Sequence, residues 1–161
     1  MSKLLWKNIF SFSKKKSVHQ LLKTVPIFYG LSQIDLSTVS KLLHLRTYKA
    51  GETVFVEKEP GESMYIIQSG SVDIFSADNK EKTLVHLSTG DFFGEVSLVD
   101  EEPRSATAIA TEECELLGFF RADLMHLIDR NPRLASFILF QLSMILGKRL
   151  RLITDKIGMH A

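Results

Sequence analysis

Apolar positions along the chain change their spacing twice, which divides it into three zones. The first, residues 1–44, repeats at helical spacing in two or three short pieces. Ser17–Lys23 predicts one helix, which Pro26 ends or bends because proline lacks an amide proton and crowds the preceding turn. Ser32 reads as the N-cap of a second helix over Gln33–Leu43, with an apolar stripe of Ile34, Leu36, Val39, Leu42 and Leu43. From about Leu45 to Phe120 the pattern shortens to strand lengths. Thr53–Val56, Met64–Gln68, Val72–Ser76, Thr83–Leu87, Ala106–Ala110 and Glu115–Phe120 alternate or run apolar. Gly51, Pro60–Gly61, Gly70, Asp78–Asn79 and Gly90 separate them and are read as turn geometry alone. Short strands so closely spaced predict an antiparallel sandwich or barrel.

Helical spacing returns at Arg121. Ala122–Asp129 predicts a short helix. Asn131 then caps a longer one that opens on Pro132 and runs to about Lys156. Its stripe is Leu139, Leu142, Leu146, Leu150, Ile153 and Ile157, and Phe137, Ile138, Phe140 and Ile145 widen the apolar surface beyond it. A helix apolar on more than one side must bury both. One side suits the strand body and the other a ligand or partner, with Leu142, Leu146, Leu150 and Ile153 expected to pair across a dimer.

Composition narrows the class. At 161 residues, 45% hydrophobic and 24% charged, the chain suits one globular domain with short extensions. The apolar run Phe137–Phe140 is far short of the ~20 residues a membrane span needs. A single cysteine, Cys114, excludes an internal disulfide framework and the cysteine-rich zinc modules. Charge is uneven: Lys3, Lys7, Lys14, Lys15 and Lys16 fall in the first 20 residues with no acidic residue among them. That leaves 15 Lys+Arg against 19 Asp+Glu in the remaining chain. The body therefore lacks the basic footprint of a nucleic-acid binder. Lys7 interrupts the arm's apolar stretch, unlike a secretory signal. The arm mixes its lysines with Leu4, Leu5, Trp6, Ile9, Phe10 and Phe12. It can lie on an anionic membrane surface or pack on the body or a partner.

Chemistry concentrates in Asp91–Ala110, DFFGEVSLVDEEPRSATAIA. The stretch reads as a strand, a glycine, and a brief helical turn from about Glu95 to Leu98. Amides opening such a turn attract an anion, and glycine lets it approach closely. Arg104 follows beside Pro103 and the Ser105 hydroxyl, and its guanidinium can grip a phosphate through paired donors. Glu95, acceptor-only when ionised, suits a sugar hydroxyl. Together these describe a sugar-phosphate pocket. The plainer alternative is a structural Glu95–Arg104 ion pair, with Ser97 making only a local helix contact. His19, His44, His86, His126 and His160 show no metal-ligand spacing, and no Walker loop, hydrolase elbow or paired carboxylates mark an enzyme.

Phe93-Gly94-Glu95, Leu98 and Pro103-Arg104-Ser105-Ala106 resemble the phosphate-binding cassette of cyclic nucleotide-binding domains. The resemblance extends to Lys49-Ala50-Gly51-Glu52, the Pro60–Ile67 stretch, Ser69-Gly70 and the entry Leu21–Leu31, and so spans about residues 18–157. It implies a mainly β fold: an antiparallel double-stranded β-helix, or jelly-roll-like β-roll, with N-terminal helices and a long C-terminal helix. By resemblance Glu95 binds the ribose 2′-OH and Arg104 the cyclic phosphate, while Gly94, Val96, Ser97 and Ser105 supply backbone or hydroxyl contacts. Thr154 matches a base-contacting hydroxyl on the last helix, although Ile153 stands where the resembling proteins carry a threonine. Ser105 after the arginine favours cAMP over cGMP.

The implied division is an arm over 1–17, a nucleotide-binding β-roll with flanking helices over 18–130, and a helix over 131–161 that serves as lid and dimer element. The expected function is a non-catalytic cAMP sensor that signals to a homodimer partner or an unidentified effector protein. No cofactor, metal or nucleic acid is expected, since the residues to Ala161 leave no room for a helix-turn-helix. Localisation is expected to be cytoplasmic, with peripheral membrane contact through residues 1–16 as an extension. The alternative is a β-roll scaffold that binds no nucleotide.

Overall fold

In the computed structural model, which describes residues 17–76 and 79–158, eight strands form two antiparallel four-stranded sheets. In chain order they are β1 (His44–Tyr48), β2 (Thr53–Phe55), β3 (Ser63–Ser69), β4 (Ser71–Ser76), β5 (Asn79–Ser88), β6 (Phe92–Phe93), β7 (Thr107–Ala110) and β8 (Cys114–Phe120). One sheet runs β1-β8-β3-β6 and the other β2-β7-β4-β5. Helices α1 (Val18–Leu22) and α2 (Gln33–Ser40) precede the strands, and α3 (Arg121–Arg130) and α4 (Pro132–Gly158) follow them. This is the expected β-roll with flanking helices.

Two apolar clusters explain why β3 and β8 read as near-continuous apolar runs: both of their faces are covered. Tyr65 and Ile67 of β3, with Cys114 and Leu116 of β8, point between the sheets onto Val72, Phe93, Ala108 and Ala110. Met64 and Ile66, with Leu117 and Phe119, point the other way onto the helices. The pairing Ser63↔Phe120 through Ile67↔Leu116 sets this register. The outer cluster draws Leu21 and Leu22 from α1, Leu124 from α3, and Leu134, Ala135, Ile138 and Leu142 from α4. The first half of α4 is thus packed on the same core as the roll.

Helix boundaries follow local chemistry. Ser17 caps α1 in a reciprocal box with Gln20, and the Ser32 hydroxyl accepts from the Asp35 amide at 3.1 Å. Helix α2 ends at Ser40, before the expected Leu43, because Leu42 and Leu43 turn back onto Val39 and Ser40 in tighter i→i+3 bonds. The Asn131 side chain accepts from the Leu134 amide at 3.2 Å, so α4 opens on Pro132 as expected. Strand β1 is not among the expected strands. It is an edge strand with little burial and no apolar alternation.

The dimer stripe needs correction. Leu142 is 1% exposed within its own core and so is not available to a second copy, whereas Leu146 is only partly buried against that core. Among the described side chains the exposed large apolar residues of α4 are Phe140, Met144, Leu150 and Leu152, of which Leu150 belongs to the expected stripe. The arm over residues 1–16, the Asp78 part of the expected turn and the Ile153 side chain lie outside the described residues. Among the described residues no helix is long and apolar enough to cross a membrane.

Candidate functional site

The site grows from the segment between β6 and β7. Strand β6 ends at Gly94, whose φ of 74° lies in the left-handed region that favours glycine. A Cβ there would sit 2.7 Å from Arg104 Nη1 and 3.2 Å from the Ser63 carbonyl oxygen, so the guanidinium can lie against bare backbone. A 3-10 turn over Glu95–Leu98 follows, and the chain then runs without regular structure to Arg104.

Arg104 is 6% exposed. Its Nη1 donates to Ser97 Oγ at 3.1 Å and to the Gly94 carbonyl at 3.3 Å, and its Nη2 donates to Ser63 Oγ at 3.1 Å. The guanidinium carbon lies 4.0 Å from the centroid of the Phe55 ring, a cation–π contact. Nε is buried and has no acceptor. No carboxylate pairs with this cation among the described residues. Burial, and less strongly the nearby Arg121 charge, lower its pKa below the usual arginine value, with Tyr65 opposing. A buried cation without a counterion is costly, and an anion presented to the free N–H relieves both defects.

Glu95 is 3% exposed and pairs through Oε1 with Arg149 Nη1 of α4 rather than with Arg104. Arg149 also lies 5.0 Å above the Phe92 ring. The plainer expectation of a Glu95–Arg104 ion pair is therefore not what the structure contains. Each group instead faces a shared cavity of about 560 Å³, within the range of small-molecule sites. Ile74, Val85 and Leu87 of the second sheet give it an apolar wall, and Leu152 of α4 also lines it. A cation with a free donor, a carboxylate acceptor and an apolar wall can together take a phosphate, a hydroxyl and a flat apolar ring.

Gly94, Glu95, Val96, Ser97, Arg104 and Ser105 all line this cavity. Thr154 does not: it is exposed, and its hydroxyl donates to the Leu150 carbonyl at 3.0 Å. Ser97 does more than support its own turn, since its side chain holds Arg104 and its carbonyl accepts from Arg121 Nε at 2.9 Å. Gly61 is likewise more than turn geometry. A Cβ on it would collide with the Ser97 side chain and stand 3.1 Å from Arg104 Nε.

Sequence reading missed four contributors. Ser63 and Gly61 sit in a stretch with family resemblance but carry no spacing signal of their own. Arg121 Nη2 donates to the Gly61 carbonyl at 2.5 Å and so braces two parts of the site together. Arg149 stands among the basic residues Lys148 and Arg151 of α4 and belongs to no motif.

Comparison with known proteins identifies the family. Residues 45–131 match the family model described as "Cyclic nucleotide-binding domain". The chain belongs to the cyclic nucleotide-binding domain family. The chain is 37% identical over 132 residues to the cyclic AMP receptor protein of Thermus thermophilus, covering 81% of this chain and 59% of that protein. It is 31% identical over 118 residues to a cAMP-dependent protein kinase regulatory subunit of Colletotrichum orbiculare, covering 73% of this chain and 30% of that one. The crystal structure of the Thermus thermophilus catabolite activator protein superposes with a TM-score of 0.75 at 34% identity, over 83% of this chain and 62% of that one. This cyclic nucleotide-binding domain thus spans less than two thirds of those relatives.

Proposed function

We propose that this chain is a regulatory cAMP sensor without catalytic activity. Arg104 takes the cyclic phosphate, Glu95 takes the ribose 2′-OH, and the apolar wall of Ile74, Val85 and Leu87 takes the base. The observation that carries the reading is the buried Arg104, which has an unpaired Nε and no carboxylate partner and faces the same cavity as Glu95. Preference for cAMP over cGMP rests on Ser105 and on the two relatives whose names specify cAMP.

Signalling runs through α4. Arg149 joins this helix directly to the carboxylate that receives the sugar, so ligand contact and helix position are linked. Binding shifts the helix only if the two helix positions differ in ligand affinity, and the Glu95–Arg149 pair gives a physical reason for such a difference. A drawn-in α4 would bring Thr154 toward the base. The moved helix would present its outward residues Phe140, Met144 and Leu150 differently to a second copy or an effector protein.

Equilibrium dialysis of labelled cAMP and cGMP against the protein tests the reading. Saturable binding of cAMP, tighter than that of cGMP, is expected. Absence of binding by either nucleotide at millimolar concentration would favour a scaffold that keeps the β-roll without the ligand.

A further inference from the structure

We propose that Asp100 and Glu102 make the cavity selective for a singly charged phosphodiester over dianionic linear phosphates. This rests on the nucleotide reading of the site and adds a determinant that acts by repulsion. Both carboxylates line the same cavity as Arg104, in the loop that links the 3-10 turn to the arginine. Asp100 is half-buried and Glu102 exposed, and neither has a cationic partner among the described residues.

The charges around the cavity are unbalanced. Arg149 is committed to Glu95, which leaves Arg104 as the lining cation without a carboxylate partner, and Asp100 and Glu102 line the same cavity. Arg104 donates both Nη1 hydrogens to Ser97 and Gly94 and one Nη2 hydrogen to Ser63, so Nε–H and the second Nη2 hydrogen remain uncommitted. One guanidinium carries one positive charge and so balances a phosphate carrying one negative charge. A second charge on the ligand gains no further cation and meets two carboxylates. Discrimination by placing an unfavourable group against the wrong ligand is a general route to specificity. One unit charge opposing another across roughly 8 Å, at an effective dielectric near 40, changes affinity about fivefold.

The test separates charge from ring shape. Affinities of cAMP, 5′-AMP and the methyl ester of 5′-AMP are measured for the parent, Asp100→Asn, Glu102→Gln and the double variant. The methyl ester is linear like 5′-AMP but carries one charge like cAMP. The parent should bind the ester more tightly than 5′-AMP. Each single variant should narrow that gap about fivefold, and the double variant on the order of twentyfold, chiefly by tightening 5′-AMP. Raising salt should narrow the parent's gap more than the double variant's. A gap that stays unchanged in the double variant, while cAMP still binds, overturns the role of the two carboxylates alone. No binding of any of the three ligands to the parent overturns the nucleotide reading itself, and this proposal with it.

Discussion

Replacing Arg149 by alanine removes the ion-pair partner of a carboxylate that water hardly reaches. The Glu95 side chain is 4% exposed and that of Arg149 is 44% exposed. Exposed pairs contribute about 0–1 kcal/mol. Breaking a buried pair by deleting one partner costs about 3–5 kcal/mol. With one partner desolvated and the other half in water, screening brings the expected cost of Arg149→Ala to about 1–2 kcal/mol of unfolding free energy, between those limits. Part of that loss is packing, because the guanidinium also covers the Phe92 ring. A double-mutant cycle isolates the pair: urea unfolding of the parent, Arg149→Ala, Glu95→Gln and the double variant should give a coupling of about 1 kcal/mol. The coupling should fall in high salt because Arg149 is partly solvated. A coupling below about 0.3 kcal/mol, within the additivity expected of independent sites, would refute the claim that α4 is tied energetically to the carboxylate proposed to take the ribose hydroxyl.

Other predictions follow from the same side chains and their neighbours. Gly61→Ala should keep the fold, cost about 1–3 kcal/mol from overpacking, and weaken cAMP binding, because its Cβ displaces Ser97 and Arg104; calorimetry with a circular-dichroism control checks it. Leu142→Ala should cost about 2–5 kcal/mol of stability without altering self-association, whereas Phe140→Asp should lower any α4-mediated self-association by sedimentation without unfolding the chain. The Ser32 hydroxyl, with Arg133 as a lesser contributor, holds the Asp35 carboxyl below the usual carboxylate range against the opposing effect of burial. A lowered folded pKa gives stability that is present above the unfolded value and is lost as pH falls through the folded one. Asp35→Asn should therefore cost about 1–2 kcal/mol at pH 7 and progressively less below pH 4, which urea titrations across pH can follow.

The strand zone was legible as an antiparallel sandwich or barrel because its central strands bury both faces and give apolar runs such as Met64–Ile67, while the β-roll itself came from the family resemblance. The turn after Gly94 was legible for a different reason. A glycine, an acidic residue and a short apolar turn at that spacing belong to one local geometry. Strand β1 was not legible, because an exposed edge strand needs no apolar alternation and is held mainly by its pairing with β8. The split of Glu95 and Arg104 onto different partners was equally hidden. It depends on Arg149 lying 54 residues away and on Ser63 lying 41 residues from Arg104, neighbours that only the closed roll brings together. The α4 stripe misled on Leu142 because an apolar residue on a helix does not reveal which of two apolar faces meets its own core.

The central claim is that Arg104 holds the phosphate of a bound cyclic nucleotide. Isothermal titration of cAMP into the parent and into Arg104→Gln, with thermal melts to verify that the variant is folded, tests it most directly. Each charge-assisted hydrogen bond to the phosphate contributes about 1.5–3 kcal/mol. A folded variant missing one such bond should bind at least about tenfold more weakly, and one missing two about a hundredfold or more. A folded Arg104→Gln that binds cAMP as tightly as the parent would contradict the account.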